Sequence, residues 1–174
     1  MTLFIGCDLG GTNIKAGIVD IATGVVLHSD SRPTKAHKGH EVVLERMSAL
    51  ILQIIQTSGV DQEEIQGVGI SAPGMLDLEN GVSLFMTNLP GHWINVPLQE
   101  PLERALQLPV KLLNDVRAIT LGEYTFGAGR GANNMACFAI GTGIGGGIVV
   151  NGQLVLGING QAGELGHITI DING

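Results

Sequence analysis

Two glycine-rich stretches carry the residue types with the clearest chemical use, Gly10-Gly11-Thr12 and Gly141-Thr142-Gly143. Glycine has no Cβ, so a turn built from it can offer backbone N–H groups to an anion with no side chain in the way. Two such turns facing one cleft would hold a polyphosphate. Asp8 stands just before the first turn, at the end of an apolar run. A carboxylate beside a phosphate cradle would repel the ligand unless it held Mg²⁺, directly or through water. Lys15 could offset phosphate charge, although a solvated hairpin lysine is as ordinary. The glycines also have a structural alternative, in which Gly10-Gly11 and Gly145-Gly146-Gly147 simply permit close strand packing or bulges.

These turns need elements to hold them. Leu3 to Asp8, Ile14 to Val19 and Val25 to His28 are short apolar runs separated by Gly10-Gly11 and Ala22-Thr23-Gly24, which predicts a three-stranded antiparallel meander. Val43, Met47, Leu50, Ile51, Ile54 and Ile55 fall on one face at about 3.6 residues per turn, predicting a helix from about residue 41 to 56. Residues 67–72 read as a buried strand delivered to the turn Pro73-Gly74, and 82–86 as part of a second hairpin. A helix opened by Pro97 is expected over 97–106, a strand over 109–113 and a helix over 116–126 that Gly127 ends. Glu63 and Glu64 belong to the first turn of a short helix after Asp61. The order favours a mixed α/β domain.

GTGIGG at 141–146 satisfies GxGxxG, but the dinucleotide fingerprint requires a helix next. Here Ile148-Val149-Val150, the tight pair Asn151-Gly152 and Gln153 to Leu156 follow, which is hairpin chemistry. No GxxxxGK[ST] supports a P-loop. Sliding the chain by 130 positions instead lays GTNIKAGIV (11–19) over GTGIGGGIV (141–149), with Cys7 over Cys137. That reads as a duplication. The expected division is an N-terminal α/β domain over 1–112 and a second copy over 113–174 that is cut short, leaving an apolar sheet face exposed or covered by something else.

Composition excludes several classes. Of 174 residues, 44% are hydrophobic and 14% charged, which is not the balance of a disordered chain. The net charge is −7 with no Lys/Arg cluster, so nucleic acid is not an expected partner. No run reaches the roughly 18 apolar residues of a membrane span, and the N-terminus has no basic region followed by an apolar core. Two cysteines make neither a disulfide framework nor a CxxC motif, which fits a reducing, cytoplasmic setting.

Asp8-Leu9-Gly10-Gly11-Thr12-Asn13-Ile14-Lys15 resembles the first phosphate motif of the ROK family (repressor, open reading frame, kinase), part of the hexokinase/actin-like ATPase superfamily. Ser71-Ala72-Pro73-Gly74, Asn88-Leu89-Pro90-Gly91-His92-Trp93, Asn114-Asp115, Gly141-Thr142-Gly143 and Gly163-Glu164-Leu165-Gly166-His167 resemble further motifs of that family, in order over essentially the whole chain. The resemblance implies ribonuclease-H-like domains of βββαβα type, here one followed by an incomplete second copy. It further implies a sugar in the cleft between them and ATP-dependent phosphorylation of a hexose hydroxyl, glucokinase-like, in carbohydrate metabolism.

Asn114-Asp115 ends the strand predicted over 109–113, at the carboxyl end where open α/β sheets place ligands. An Asp can serve as general base because the proton leaves as the new P–O bond forms. Asp115 is the expected base, a role the resemblance also implies. Asn-Asp is equally a helix N-cap, and one residue can do both. By resemblance Asn114 binds sugar hydroxyls. Arg117 departs from the Asn or other polar residue of many relatives. Glu164 and His167, three apart, converge only if a helical turn forms, and the resemblance makes both sugar ligands. Asn88 is expected to read a sugar hydroxyl, with a plain loop Asn as the alternative, and Gly74 to let sugar approach the backbone. Trp93 could stack on a sugar or fill the core.

In the family His167 also binds a structural zinc with three downstream cysteines. That segment is absent here, and Cys7 and Cys137 are poor substitutes. The remaining histidines, His28, His37, His40 and His92, form no metal spacing. Relatives are commonly dimers or tetramers, so a homo-oligomer is expected. Two rivals stand beside the kinase. One is a sugar-responsive transcriptional regulator of the same family, which would place a helix-turn-helix before the first phosphate motif, here reached at Asp8. The other is a sugar-binding module without kinase activity.

Overall fold

The computed structural model describes all residues except 87, 92, 142, 173 and 174. The chain divides into two units, Met1–Asn114 and Asp115–Gly174.

In the first unit, β1 (Leu3–Leu9), β2 (Asn13–Asp20) and β3 (Val25–Pro33) form the antiparallel meander. β4 (Ile65–Ala72) and β8 (Val110–Asn114) add parallel to it, giving the order β3-β2-β1-β4-β8. Alternation decides the faces: Leu3, Ile5, Cys7 and Leu9 of β1 and Ile14, Ala16 and Ile18 of β2 are buried, while Asp8 and Lys15 point the other way. α1 (His40–Ser58) lays the six expected residues, Val43 through Ile55, into this core and closes on Gly59 in the left-handed conformation. α2 (Gln99–Leu106) contributes Leu102 and Leu106 to the same cluster.

Three expectations shift. β3 runs five residues beyond His28 because it is an edge strand, exposed on both sides and without the alternation that would reveal it. The second hairpin is β5 (Met75–Asp77) with β6 (Val82–Phe85), joined by β7 (Val96–Pro97). Pro97 therefore opens no helix. Val96 and Leu98 are both buried, Pro97 pairs with Val82 in β7, and only at Leu98, the N-cap, does the backbone turn helical, so that α2 starts at Gln99. After Asp61 the expected short helix is a single 3₁₀ turn at Gln62–Glu64.

In the second unit α3 (Asp115–Thr125) lies against β9 (Met135–Ile140) and β10 (Ile144–Val150), with β11 (Gln153–Leu154) paired to β10. Asn151 and Gly152 have φ of 50° and 77°, the two positive values that a type I′ hairpin turn demands. The hairpin reading of the GxGxxG segment is the observed one. On the outward face of β9, Phe138 is 56% and Ile140 82% exposed. No helix among the described residues is long and apolar enough to cross a membrane.

Candidate functional site

Within the first unit, strand register gathers the expected residues on one edge of the sheet. Asp8 pairs with Lys15 across β1 and β2 and with Ser71 across β1 and β4, and Ala72 pairs with Asn114 across β4 and β8. Parallel strands about 4.8 Å apart therefore present Asp8, Ser71 and Asn114 at their carboxyl ends. The Ser71 hydroxyl donates to Asp8 Oδ1. The Asn114 amide donates to the Gly74 carbonyl at 3.2 Å. Gly74 has φ of +83° and a Cβ there would collide with the backbone of Phe85, so the hairpin itself requires glycine.

The first glycine turn closes by a bond from Gly10 N–H to the Asn13 carbonyl at 3.1 Å. A residue that sequence reasoning passed over holds it from below. Thr34, fully buried, donates its hydroxyl to the Gly10 carbonyl at 2.6 Å and its N–H to the Thr12 carbonyl at 2.8 Å. Because a trans peptide sets C=O and N–H in opposite directions, pinning the Gly10 carbonyl aims the Gly11 N–H away from Thr34. Among the described residues that N–H donates to no protein acceptor. Gly11 also abuts the Asn88 loop, since a Cβ on it would stand 3.3 Å from the Asn88 carbonyl. Asn88 is exposed, while its neighbour Leu89 is buried and anchors the loop. Trp93 is 1% exposed and donates Nε1–H to the Pro90 carbonyl at 3.2 Å, so it fills the core rather than offering a face to a sugar.

In the second unit Asp115 begins α3 in a half-buried position, and its Oδ1 accepts the N–H of the next residue, Val116, at 2.9 Å. Gly141 N–H donates to the Gly143 carbonyl at 2.9 Å, so the acceptors of both glycine turns, Asn13 and Gly143, stand 130 positions apart as in the sequence match. The strand registers differ by one residue, however, with Cys7 opposite Ala16 but Cys137 opposite Gly147. The glycines of this hairpin separate into two kinds. A Cβ on Gly145 would lie 2.6 Å from Val116 Cγ2, one on Gly146 2.6 Å from the Gly163 carbonyl, and one on Gly147 would strike the Thr120 hydroxyl. These three serve close packing. Gly141 and Gly143 have nothing within 4 Å and remain open. Thr142 lies outside the described residues, as does His92.

Glu164 and His167 are joined by a 3₁₀ turn, Leu165–His167, in which His167 N–H bonds to the Glu164 carbonyl at 3.1 Å. The turn that their spacing required is present. Glu164 Oε1 accepts from Arg117 Nη2 at 2.8 Å.

For magnesium, Asp8 with its Ser71 partner supplies an exposed carboxylate and a hydroxyl, donors that suit the ion where phosphates and water complete its shell. For zinc the residues do not fit. Among the described residues no three His, Cys, Asp or Glu side chains gather. Cys7 is buried in β1, where burial with Asp8 adjacent pushes its thiol up to about 12.

The sequence model of the ROK family matches residues 4–174. A glucokinase of Thermotoga maritima is 42% identical over 170 residues, which cover 98% of this chain and 51% of that protein. A xylose repressor of Caldicellulosiruptor bescii is 33% identical over 167 residues, 96% of this chain and 41% of the repressor. The crystal structure of a ROK family glucokinase from Streptomyces griseus in complex with glucose and AMPPNP is similar with a TM-score of 0.84 and 37% identity, covering 99% of this chain and 52% of that one. The chain spans about half the length of the curated relatives it matches.

Proposed function

The chain belongs to the ROK family, and from that premise we propose that it supplies the catalytic base and part of the nucleotide and sugar sites of an ATP-dependent hexose kinase, glucokinase-like. The observation that carries this reading is the strand register. It delivers Asp8, Ser71 and Asn114 to one sheet edge, with Asp115 the next residue in the chain. On this reading Asp115 accepts the proton of the attacking sugar hydroxyl as the bond to the γ-phosphorus forms. Asn114, Asn88, Glu164 and His167 hold sugar hydroxyls, and Gly74 lines the approach. Gly10, Gly11, Thr12, Gly141, Thr142 and Gly143 receive the phosphates, with Lys15 offsetting their charge. Asp8 would hold Mg²⁺, which when bound neutralises phosphate charge. Residues 113–174 are the beginning of a second ribonuclease-H-like copy, the protein is cytoplasmic, and a dimer or tetramer is its assembled form.

The likeness to the xylose repressor supports a second reading, a sugar-responsive regulator or sugar-binding module without transferase activity. A coupled ADP-release assay over a panel of hexoses separates the two when run on this chain and on the longest polypeptide that carries it. ADP release with any hexose supports the kinase. Sugar binding without ADP release from either polypeptide supports the regulator or module.

A further inference from the structure

Arg117 is 2% exposed on a helix whose first residue is the proposed base. Burying a guanidinium costs several kcal/mol unless its N–H groups find partners. Here Nη2 donates to the Ala162 carbonyl and to Glu164 Oε1, each at 2.8 Å. The segment that receives these bonds is otherwise tied by short backbone contacts, Ala162 N–H to the Leu156 carbonyl at 3.0 Å and Leu165 N–H to the Gly163 carbonyl at 2.7 Å. The Glu164 side chain, in contrast, is 46% exposed. One of its oxygens is held from within while the side chain still faces outward.

We propose that Arg117 is the positioning residue for Glu164, fixing the carboxylate as a sugar-hydroxyl acceptor and thereby setting sugar affinity. This rests on the sugar-binding role given to Glu164 above. Residues two apart on a helix do not face each other, so α3 directs Asp115 and Arg117 to different sides. The same helix start thus carries the base and braces the sugar-binding segment. Arg suits the task because its planar fork is rigid and stays charged, whereas Lys at the same place is a flexible point charge.

The test uses the complete polypeptide carrying this sequence, with Arg117→Met, Arg117→Lys, Glu164→Gln and the Met/Gln double variant. Hexose Kd by calorimetry, hexose KM, ATP KM, kcat and melting curves are measured for each. Arg117→Met is expected to weaken hexose Kd and KM about tenfold, equivalent to about 1.4 kcal/mol, with ATP KM within about twofold. Arg117→Lys recovers part of the loss, and the double variant binds hexose no worse than Glu164→Gln alone. Unchanged hexose Kd in Arg117→Met or in Glu164→Gln overturns the proposal, as does a parallel fall of hexose and ATP binding with thermal stability in both Arg117 variants. If Arg117→Met does not fold, Arg117→Lys and Glu164→Gln decide by the same criteria. A wild type that binds hexose through Glu164 without releasing ADP refutes the kinase reading and leaves this inference standing. A wild type that binds no hexose refutes both.

Discussion

Replacing Thr34 by valine tests whether the first glycine turn is shaped from below. The two side chains have nearly the same outline, so the change removes one buried hydroxyl that donates at 2.6 Å and keeps the backbone bond to Thr12. Withdrawing the donor from the half-buried Gly10 carbonyl costs about 1 kcal/mol, which at this chain length lowers Tm by about 2–4 °C. The turn should loosen as well. With the Gly10 carbonyl released, the Gly11 N–H loses its fixed direction, and ATP KM should rise severalfold while hexose KM stays within about twofold. Thr34→Ser keeps the hydroxyl and is expected to lose only the stability of a buried methyl, about 0.8 kcal/mol, with ATP KM unchanged. Differential scanning calorimetry and initial rates against varied ATP provide the readings. A Thr34→Val protein with wild-type Tm and ATP KM would refute the argument that this hydroxyl orients the turn.

Gly10→Ala places a Cβ 2.7 Å from the Asn13 carbonyl, so the turn must shift; ATP KM should rise by about tenfold or more, measured in the same assay. Asp20 accepts N–H bonds from Thr2 at 3.1 Å and Ala22 at 3.2 Å and the Thr23 hydroxyl at 3.0 Å. These bonds, the Thr2 N–H foremost, hold its carboxyl below the ordinary aspartate value of 3.8. Its contribution to stability is therefore complete above that value and lost as pH falls through the lower folded one. Melting curves from pH 6 down to about 2 should show a loss of Tm below about 4 that Asp20→Asn reduces.

Much of this was readable before any coordinates. The meander, α1 with its six buried residues, and the hairpin after Gly146 all follow from periodicity and from turn residues whose backbone needs are specific. β3 beyond His28 and β7 at Val96–Pro97 were not, because edge strands lack alternation and a proline can end a strand as readily as it opens a helix. The motif residues at the carboxyl ends of β1, β4 and β8 were found, because motif and strand end coincide. Thr34 and the Arg117–Glu164 pair escaped for a different reason. Each acts across 22 or more positions by a hydrogen bond that no spacing rule records. The preference of Arg117 for burial in particular runs against its residue type. The glycine alternatives could be separated only by geometry, which assigns Gly145 to Gly147 to packing and leaves Gly141 and Gly143 open.

The most direct test of the central claim is Asp115→Asn in the complete polypeptide, with ADP release and hexose Kd measured on the same preparation. The account predicts that kcat falls by about two or more orders of magnitude, while hexose Kd stays within about threefold of wild type. Turnover near the wild-type rate would contradict it.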